Sequence, residues 1–187
     1  MRYLVCLLEE PSAEEFLKRV LPKIIPNDVH LQFFAFEGKQ DLEKQLVKKV
    51  RNWQMPDSKF LVMRDKDAAD CETVKAGLVA KLQQTGKAND ALVRIACHEL
   101  ESFYLGDLAA VGEALDLPQL EQLQNKARYR KPDAIVSPKE ELKKITRNAY
   151  QQVAGSRAIA ETLRLDGSNR SHSFNVLVDG VKKLIDA

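Results

Sequence analysis

Two aspartates that follow a short apolar run have the spacing of a metal site. Phe60 to Met63 is long enough for a buried strand, and Asp65 and Asp67 come directly after it. If the strand stays extended through Asp67, both carboxylates point to the same side, because side chains alternate along a strand. The two carboxylates repel each other unless a cation compensates their charge. Mg²⁺ suits this place because it prefers hard oxygen ligands. Asp70 is a further candidate ligand, although the alternative is a polar loop in which Asp70 caps the next helix.

Further carboxylates follow two other predicted strands. Glu9 comes after the apolar run Tyr3 to Leu8, Glu99 closes a predicted strand over Ala91 to Cys97, and Glu101 lies two residues further on. In open parallel sheets, ligands bind beyond the carboxyl ends of the strands. We therefore predict that these carboxylates and the two aspartates share one edge of a sheet and hold Mg²⁺, for which Mn²⁺ could substitute.

The predicted strands and helices that must position these residues alternate along the first part of the chain. Short apolar runs predict strands over 3–8, 29–36, 60–63 and 91–97. Helical spacing of apolar residues predicts helices over 13–25, 41–53, 70–84 and 102–115. Ser12 and Glu15 have the spacing of a capping box at the first of these helices. The order predicts an α/β fold with a mainly parallel, four-stranded, Rossmann-like sheet flanked by helices.

A basic, helical extension follows the alternating part. Residues 126–157 carry nine Lys and Arg against three Asp and Glu, whereas the net charge of the 187-residue chain is only +2. Basic side chains among tyrosines suit phosphate contacts, and Arg128, Arg130 and Lys131 are the candidates. The alternative is a solvated helix face with local ion pairs. Since no clear linker separates the parts, we predict one domain over 1–187, with a core of about 1–117 and an extension of about 118–187.

The composition predicts a cytoplasmic protein that does not enter a membrane. Hydrophobic residues make up 44% and charged residues 30% of the chain, which is typical of a globular protein. The three cysteines are widely spaced and form no CxxC pair, and no signal peptide is recognisable, which favours a reducing compartment. No apolar stretch approaches the ~18 residues that span a bilayer.

Five short motifs together resemble the Toprim fold and, more closely, an uncharacterised bacterial family of Toprim-like proteins. They are EEPSAE at Glu9–Glu14, GKQDL at Gly38–Leu42, RDKDAADC at Arg64–Cys71, ELESFYLGD at Glu99–Asp107 and NRSHSF at Asn169–Phe174. A Toprim domain has a glutamate after its first strand and an Asp-x-Asp pair after its third, which are the positions of Glu9, Asp65 and Asp67. Glu10 replaces the usual glycine, a departure that points away from topoisomerases and primases.

The resemblance implies a Mg²⁺-dependent phosphodiesterase of the nuclease class, which acts on nucleic acid and has a role in phage defence. Glu9, Asp65 and Asp67 would be catalytic and metal-binding, and Glu99 or Glu101 would complete a second metal site. The candidates for phosphate binding outside the basic stretch are Lys39, Arg64, Lys66, Asn169, Arg170 and Ser171. The polar residues of NRSHSF are equally typical of turns and helix caps.

A second hypothesis belongs to a different class of protein. Some Toprim proteins occur beside ATPases in phage-defence loci, so the chain could be a non-catalytic module that regulates or docks to a partner ATPase. Fold alone does not decide between these functions. A homodimer is left open by the sequence. The two hypotheses differ in whether Glu9, Asp65 and Asp67 converge or are held in ion pairs with neighbouring cations.

Overall fold

Four parallel strands form a single sheet in the computed structural model, which describes residues 1–187. The strands are β1 (Arg2–Leu8), β2 (Val29–Ala35), β3 (Ser58–Asp65) and β4 (Ala91–Ala96), and they lie in the order β2-β1-β3-β4. All three neighbouring pairs are parallel. The predicted α/β fold with a four-stranded, Rossmann-like parallel sheet is therefore confirmed.

The strands lie in a register that brings their carboxyl ends to one edge. Leu8 of β1 pairs with Ala35 of β2 and with Met63 of β3, and Asp65 pairs with Ala96 of β4. β1 and β3 are central and buried on both faces, which explains their continuous apolar sequences. The residues that follow β1, β3 and β4 are thus neighbours in space.

Helices cover both faces of the sheet. Three of them follow β1, β2 and β3 as crossovers: α1 (Pro11–Val20), α2 (Lys39–Asn52) and α3 (Cys71–Gln83). Leu4, Cys6 and Leu8 belong to a core of 34 buried residues on one face, whereas Val5 and Leu7 belong to a core of 12 on the other. This division is the consequence of side chains alternating along β1.

The second half of the chain packs onto the larger core. Its helices are α4 (Glu101–Leu105), α5 (Leu108–Ala114), α6 (Pro138–Ile145), α7 (Gln152–Thr162) and α8 (His172–Asp186), with short 3₁₀ turns between α5 and α6. More than a third of the 34 residues of the larger core come after residue 117. α8 packs along β4, where Arg94 Nε donates to the carbonyl of Val176 at 3.1 Å. No helix is both long and apolar enough to cross a membrane.

The predicted capping box at the first helix is wrong. α1 begins at Pro11, so Glu10 rather than Ser12 occupies the position before the helix. Pro is favoured at the first helical position because its φ is already helical and it has no N–H to satisfy. The Ser12 hydroxyl donates to the Glu10 carboxylate instead, and Glu15 accepts from Arg157.

The single helix predicted over 102–115 is divided into α4 and α5. Asp107 lies at the break, where its carboxylate accepts from Ala110 N at 3.3 Å and pairs with Arg164 at 2.6 Å. A short acidic side chain at this position favours a new helix start over continuation of the old one. Gly106 precedes it because a β-carbon there would overlap Asn169 and Ser171.

Candidate functional site at the carboxyl edge of the sheet

The loops after β3 and β4 are tied together at the carboxyl edge. Lys66 N donates to Ala96 O at 3.0 Å, and Asp67 N donates to His98 O at 2.7 Å. Asp67 and His98 both have left-handed backbones, with φ of 54° and 61°. Four other residues besides glycine have such a backbone in this protein, and Asp and His adopt it more readily than most, so the pair marks a tight turn at this edge.

The two aspartates of the Asp-x-Asp pair have different environments. β3 ends at Asp65, so the expectation that the strand stays extended through Asp67 is wrong, because the left-handed turn at Asp67 breaks the alternation. The Asp67 carboxylate is 39% exposed and lies 2.7 Å from Lys39 Nζ. The argument from strand geometry for a shared direction therefore fails, and Asp67 is held in an ion pair.

Asp65 belongs to a group of carboxylates that lies deeper in the protein. Although the residue as a whole is half-buried, burial of its carboxyl group raises the pKa well above its usual range. The carboxylates of Glu10, Glu101 and Glu9, in that order, raise this pKa further. Like charges that converge in this way favour either a proton or a cation.

Glu101 is the most deeply buried member of this group. It has no exposed surface, and burial raises its pKa to about 7 although Tyr150 Oη donates to Oε1 at 2.8 Å. Its other oxygen, Oε2, has no hydrogen-bond partner. The remaining buried side-chain atoms without a partner, the hydroxyls of Ser102 and Tyr104, are on the same helix α4. Unpartnered buried polar groups are costly and call for an explanation.

The two glutamates after β1 are held by different parts of the chain. Glu9 Oε2 accepts from Asp65 N at 3.0 Å and lies 3.8 Å from Arg64 Nε, and burial is the main cause that raises the Glu9 pKa. Glu10 accepts from Gln152 Nε2 of α7 at 2.9 and 2.8 Å. Sequence reasoning missed Glu10 as a site residue, and its position next to Glu9 was the available signal.

Lys139 is the other residue that the sequence did not indicate. Burial alone would lower the pKa of Lys139, but the carboxylates of Glu101, Glu10 and Glu99 raise it. Its backbone N–H donates to Glu99 Oε2 at 2.8 Å, which places the start of α6 at the acidic edge. The sequence offered no signal for this contact, because the run around Lys139 has the charge pattern of an exposed helix face.

A model of the family described as a domain of unknown function, DUF4276, matches residues 8–182. The chain belongs to this family. The match begins at the last residue of β1 and ends within α8, so the acidic edge and the basic extension both lie inside the family domain. This confirms the prediction of an uncharacterised domain family. No curated protein and no solved structure matches the chain significantly.

Several other predicted site residues make contacts within the protein. Asp70 caps α3 by accepting from Thr73 N at 2.8 Å, which confirms the capping alternative. Arg64 is only 5% exposed and lies 2.6 Å from Glu43. Lys66 is half-buried and forms no ion pair.

The residues of the NRSHSF motif mainly join α8 to the rest of the chain. Asn169 is buried and donates to Phe103 O at 3.0 Å, and Ser171 is buried at the N-cap of α8, where its hydroxyl donates to Asp133 at 2.6 Å. Arg170 is exposed and donates to the carbonyl of Gln124. Of the three candidates for phosphate contact here, only Arg170 faces solvent.

The side chains at the acidic edge fit a hard divalent cation in chemistry, though not as a ready-made cage. No group of three or more His, Cys, Asp or Glu side chains is close enough to hold a metal ion. The donors are carboxylates, and Glu101 Oε2 is a buried oxygen without a partner. Mg²⁺ is commonly bound by one or two carboxylates together with waters and substrate phosphates. Asp65 and Glu101 would supply these two carboxylates.

Proposed function

We propose that the chain is a Toprim-like, Mg²⁺-dependent phosphodiesterase that cleaves nucleic acid at the carboxyl edge of its sheet. The observation that carries the proposal is the pair Asp65 and Glu101, whose carboxyl groups are desolvated and have raised pKa values. Keeping two such groups ionised near neutral pH requires a compensating positive charge. A divalent cation would supply it and would also give Glu101 Oε2 a partner.

The protein's own residues have distinct roles in this proposal. Asp65 and Glu101 would provide oxygen ligands, Glu10 would add negative charge beside them, and the cation would stabilise negative charge that develops on the phosphoryl group. Glu9, held at Asp65 N, would accept a proton from the attacking water, a task that suits a carboxylate with a raised pKa. Lys139 would offset charge on the phosphate.

Asp67 has a conditional role, because its carboxylate is paired with Lys39. Both side chains are partly exposed, at 39% and 48%, so the pair is weak and can separate when a phosphate attracts the lysine. Lys39 would then contact the substrate, and Asp67 would be free to join Asp65.

A cleavage assay with matched variants tests this proposal. Asp65→Asn and Glu101→Gln preserve side-chain size and remove charge, and each is expected to reduce Mg²⁺-dependent cleavage of labelled DNA or RNA by about 100-fold or more, because the metal supplies several kcal/mol of charge stabilisation. Asp90→Asn is the control, because Asp90 pairs with Lys59 at the opposite end of the sheet. Cleavage at the wild-type rate by either edge variant contradicts the assignment.

The non-catalytic module that docks to a partner ATPase remains a second candidate, and one observation favours it. Asp67 is paired with Lys39, and Glu9 lies near Arg64, so two of the three predicted catalytic carboxylates face cations. Folded wild-type protein that cleaves neither DNA nor RNA with Mg²⁺ or Mn²⁺ would support this candidate over the nuclease.

A further inference from the structure

Two adjoining hollows lie on the surface of the extension. The larger has a volume of about 680 Å³ and lies between the segment 127–137 and α6. The smaller, of about 410 Å³, lies beside the start of α8 and includes Arg170 and His172. Arg130, Lys131 and Ala134 line both, so the two hollows adjoin at these residues and are treated together. We refer to the two as the basic hollow.

The carboxylates of the basic hollow already have partners within the protein. Glu141 is 7% exposed and accepts from Arg128 at 2.7 Å and from Tyr129 Oη at 2.6 Å. Glu140 pairs with Lys143 at 3.0 Å. These acids therefore do not neutralise the remaining cations of the surface.

Asp133, the third acid, is held by neutral donors rather than by a cation. It accepts from the Ser171 hydroxyl at 2.6 Å and from Ser173 N at 2.8 Å, at the first turn of α8. Backbone N–H groups and the positive end of the helix dipole stabilise a carboxylate in this position.

Four cations of the basic hollow form no ion pair. They are Arg130, Lys131, Lys144 and Arg170. Arg130, Lys131 and Lys144 are exposed, and Arg170 donates only to the carbonyl of Gln124 and the side chain of Asn125. The chain as a whole has a net charge of +2, so this local excess identifies a surface suited to a polyanion.

α6 connects the basic hollow to the acidic edge. At its start, Lys139 N donates to Glu99 Oε2, and five residues later Lys144 lines the hollow. At 1.5 Å per residue, the two positions are about 7.5 Å apart along the helix axis. The start of α6 thus lies at the acidic edge, and its last turn lies at the hollow.

We infer that the basic hollow binds the phosphodiester backbone of a nucleic-acid duplex and guides it to the acidic edge. Surfaces for single strands combine basic residues with aromatic platforms for the bases. No Phe or Trp and no exposed Tyr lines the hollow: its one exposed ring is the small imidazole of His172, and the nearby Tyr129 is 4% exposed with its hydroxyl bound to Glu141. The contacts are therefore to phosphates, which makes binding independent of sequence and dependent on salt. The path to the edge rests on the proposed function, whereas duplex binding does not.

Fluorescence anisotropy of a labelled duplex in EDTA tests the inference without cleavage. Arg130→Ala/Lys131→Ala is expected to weaken binding by roughly 10- to 100-fold near 0.1 M salt and to reduce the slope of log K against log[salt] by about 2. Lys44→Ala/Lys48→Ala removes the same charge from exposed positions of α2 and is expected to retain the wild-type slope. Circular dichroism checks that both variants are folded.

The outcomes separate the surface from the nuclease proposal. Unchanged affinity and slope in Arg130→Ala/Lys131→Ala, or no binding by wild type at low salt, overturn the inference. Equal competition by single-stranded DNA or by poly-glutamate of matched charge also overturns it, since the partner would then be a single strand or an acidic polypeptide. Duplex binding that depends on the hollow, in a protein without cleavage activity, supports the surface while contradicting the nuclease proposal.

Discussion

Glu101 shows how a single buried carboxyl group can couple folding to pH. Its pKa is raised from 4.5 to about 7, chiefly by burial. Between these values the folded protein binds more protons than the unfolded chain, so stability falls as the pH rises. The stabilisation by this proton is complete below the unfolded pKa and is lost as the pH passes through the folded one. The raised pKa of Asp65 acts in the same direction.

We expect the free energy of unfolding of the wild type to decrease between about pH 5 and pH 7, by up to ~1.4 kcal/mol per pH unit from Glu101. Glu101→Gln resembles the protonated form and is expected to flatten this dependence. Urea unfolding at several pH values measures it. An unchanged slope in the variant would show that Glu101 does not titrate in this range.

The sequence indicated some residues of the site and missed others for a physical reason. Asp65 was predicted from its place after an apolar run, which is local information. The separation of Asp67 from it depends on a left-handed φ of 54° that no residue type there announces. Glu10 and Lys139 join the edge through contacts with Gln152 and Glu99, across 142 and 40 positions of the chain. Periodicity does not report such contacts.

At the scale of elements, α7 is fixed by the close approach of Gly155 to Tyr150. A β-carbon at Gly155 would overlap the Tyr150 ring, whose hydroxyl donates to Glu101. Gly77, in contrast, lies on the exposed face of α3 with nothing near its β position. Both glycines lie within helices and differ in the space around their β positions, so Gly77 is a matched control for a substitution at Gly155.

Gly155→Ala is expected to destabilise the protein by about 2–3 kcal/mol, because Tyr150 must move and Glu101 loses its donor. Gly77→Ala is expected to stabilise it by about 0.5–1 kcal/mol, because alanine favours a helix interior. Chemical denaturation measures both changes. If Gly155→Ala proved as stable as Gly77→Ala, the tight packing of α7 on Tyr150 would be refuted.

The elements themselves were more predictable than their ends. The four strands and three crossover helices follow from apolar runs and helical spacing, since both patterns are local. The break between α4 and α5 was missed, because the apolar spacing continues through Gly106 and Asp107 while the capping contact and the packing of Asn169 interrupt the helix. The predicted start of the first helix, at residue 13, lies two residues late, because the capping box assumed at Ser12 placed the start after it whereas the helix begins at Pro11.

At the scale of the whole molecule, the extension completes both the core and the acidic edge. α7 and α8 contribute Ile159, Phe174 and Val181 to the larger core, and α6 and α7 hold Glu99 and Glu10. The boundary predicted near residue 117, between core and extension, marks a change in amino-acid composition. It does not divide the packing, because the larger core has residues on both sides of it.

A fragment of residues 1–117 is therefore expected not to fold cooperatively, because it would expose the apolar surface that α7 and α8 cover. Thermal unfolding followed by circular dichroism compares the fragment with the whole chain. A cooperative transition in the fragment would show that the first half is an independent domain.

The central claim is that the acidic edge binds a divalent cation, and calorimetric titration of Mg²⁺ and Mn²⁺ tests it most directly. The proteins are wild type, Asp65→Asn/Glu101→Gln and the control Asp90→Asn, each with and without a non-cleavable duplex to supply phosphates. Our account predicts binding by wild type and the control and none by the double variant. Equal binding by the double variant, or no binding by wild type even with the duplex, would contradict it.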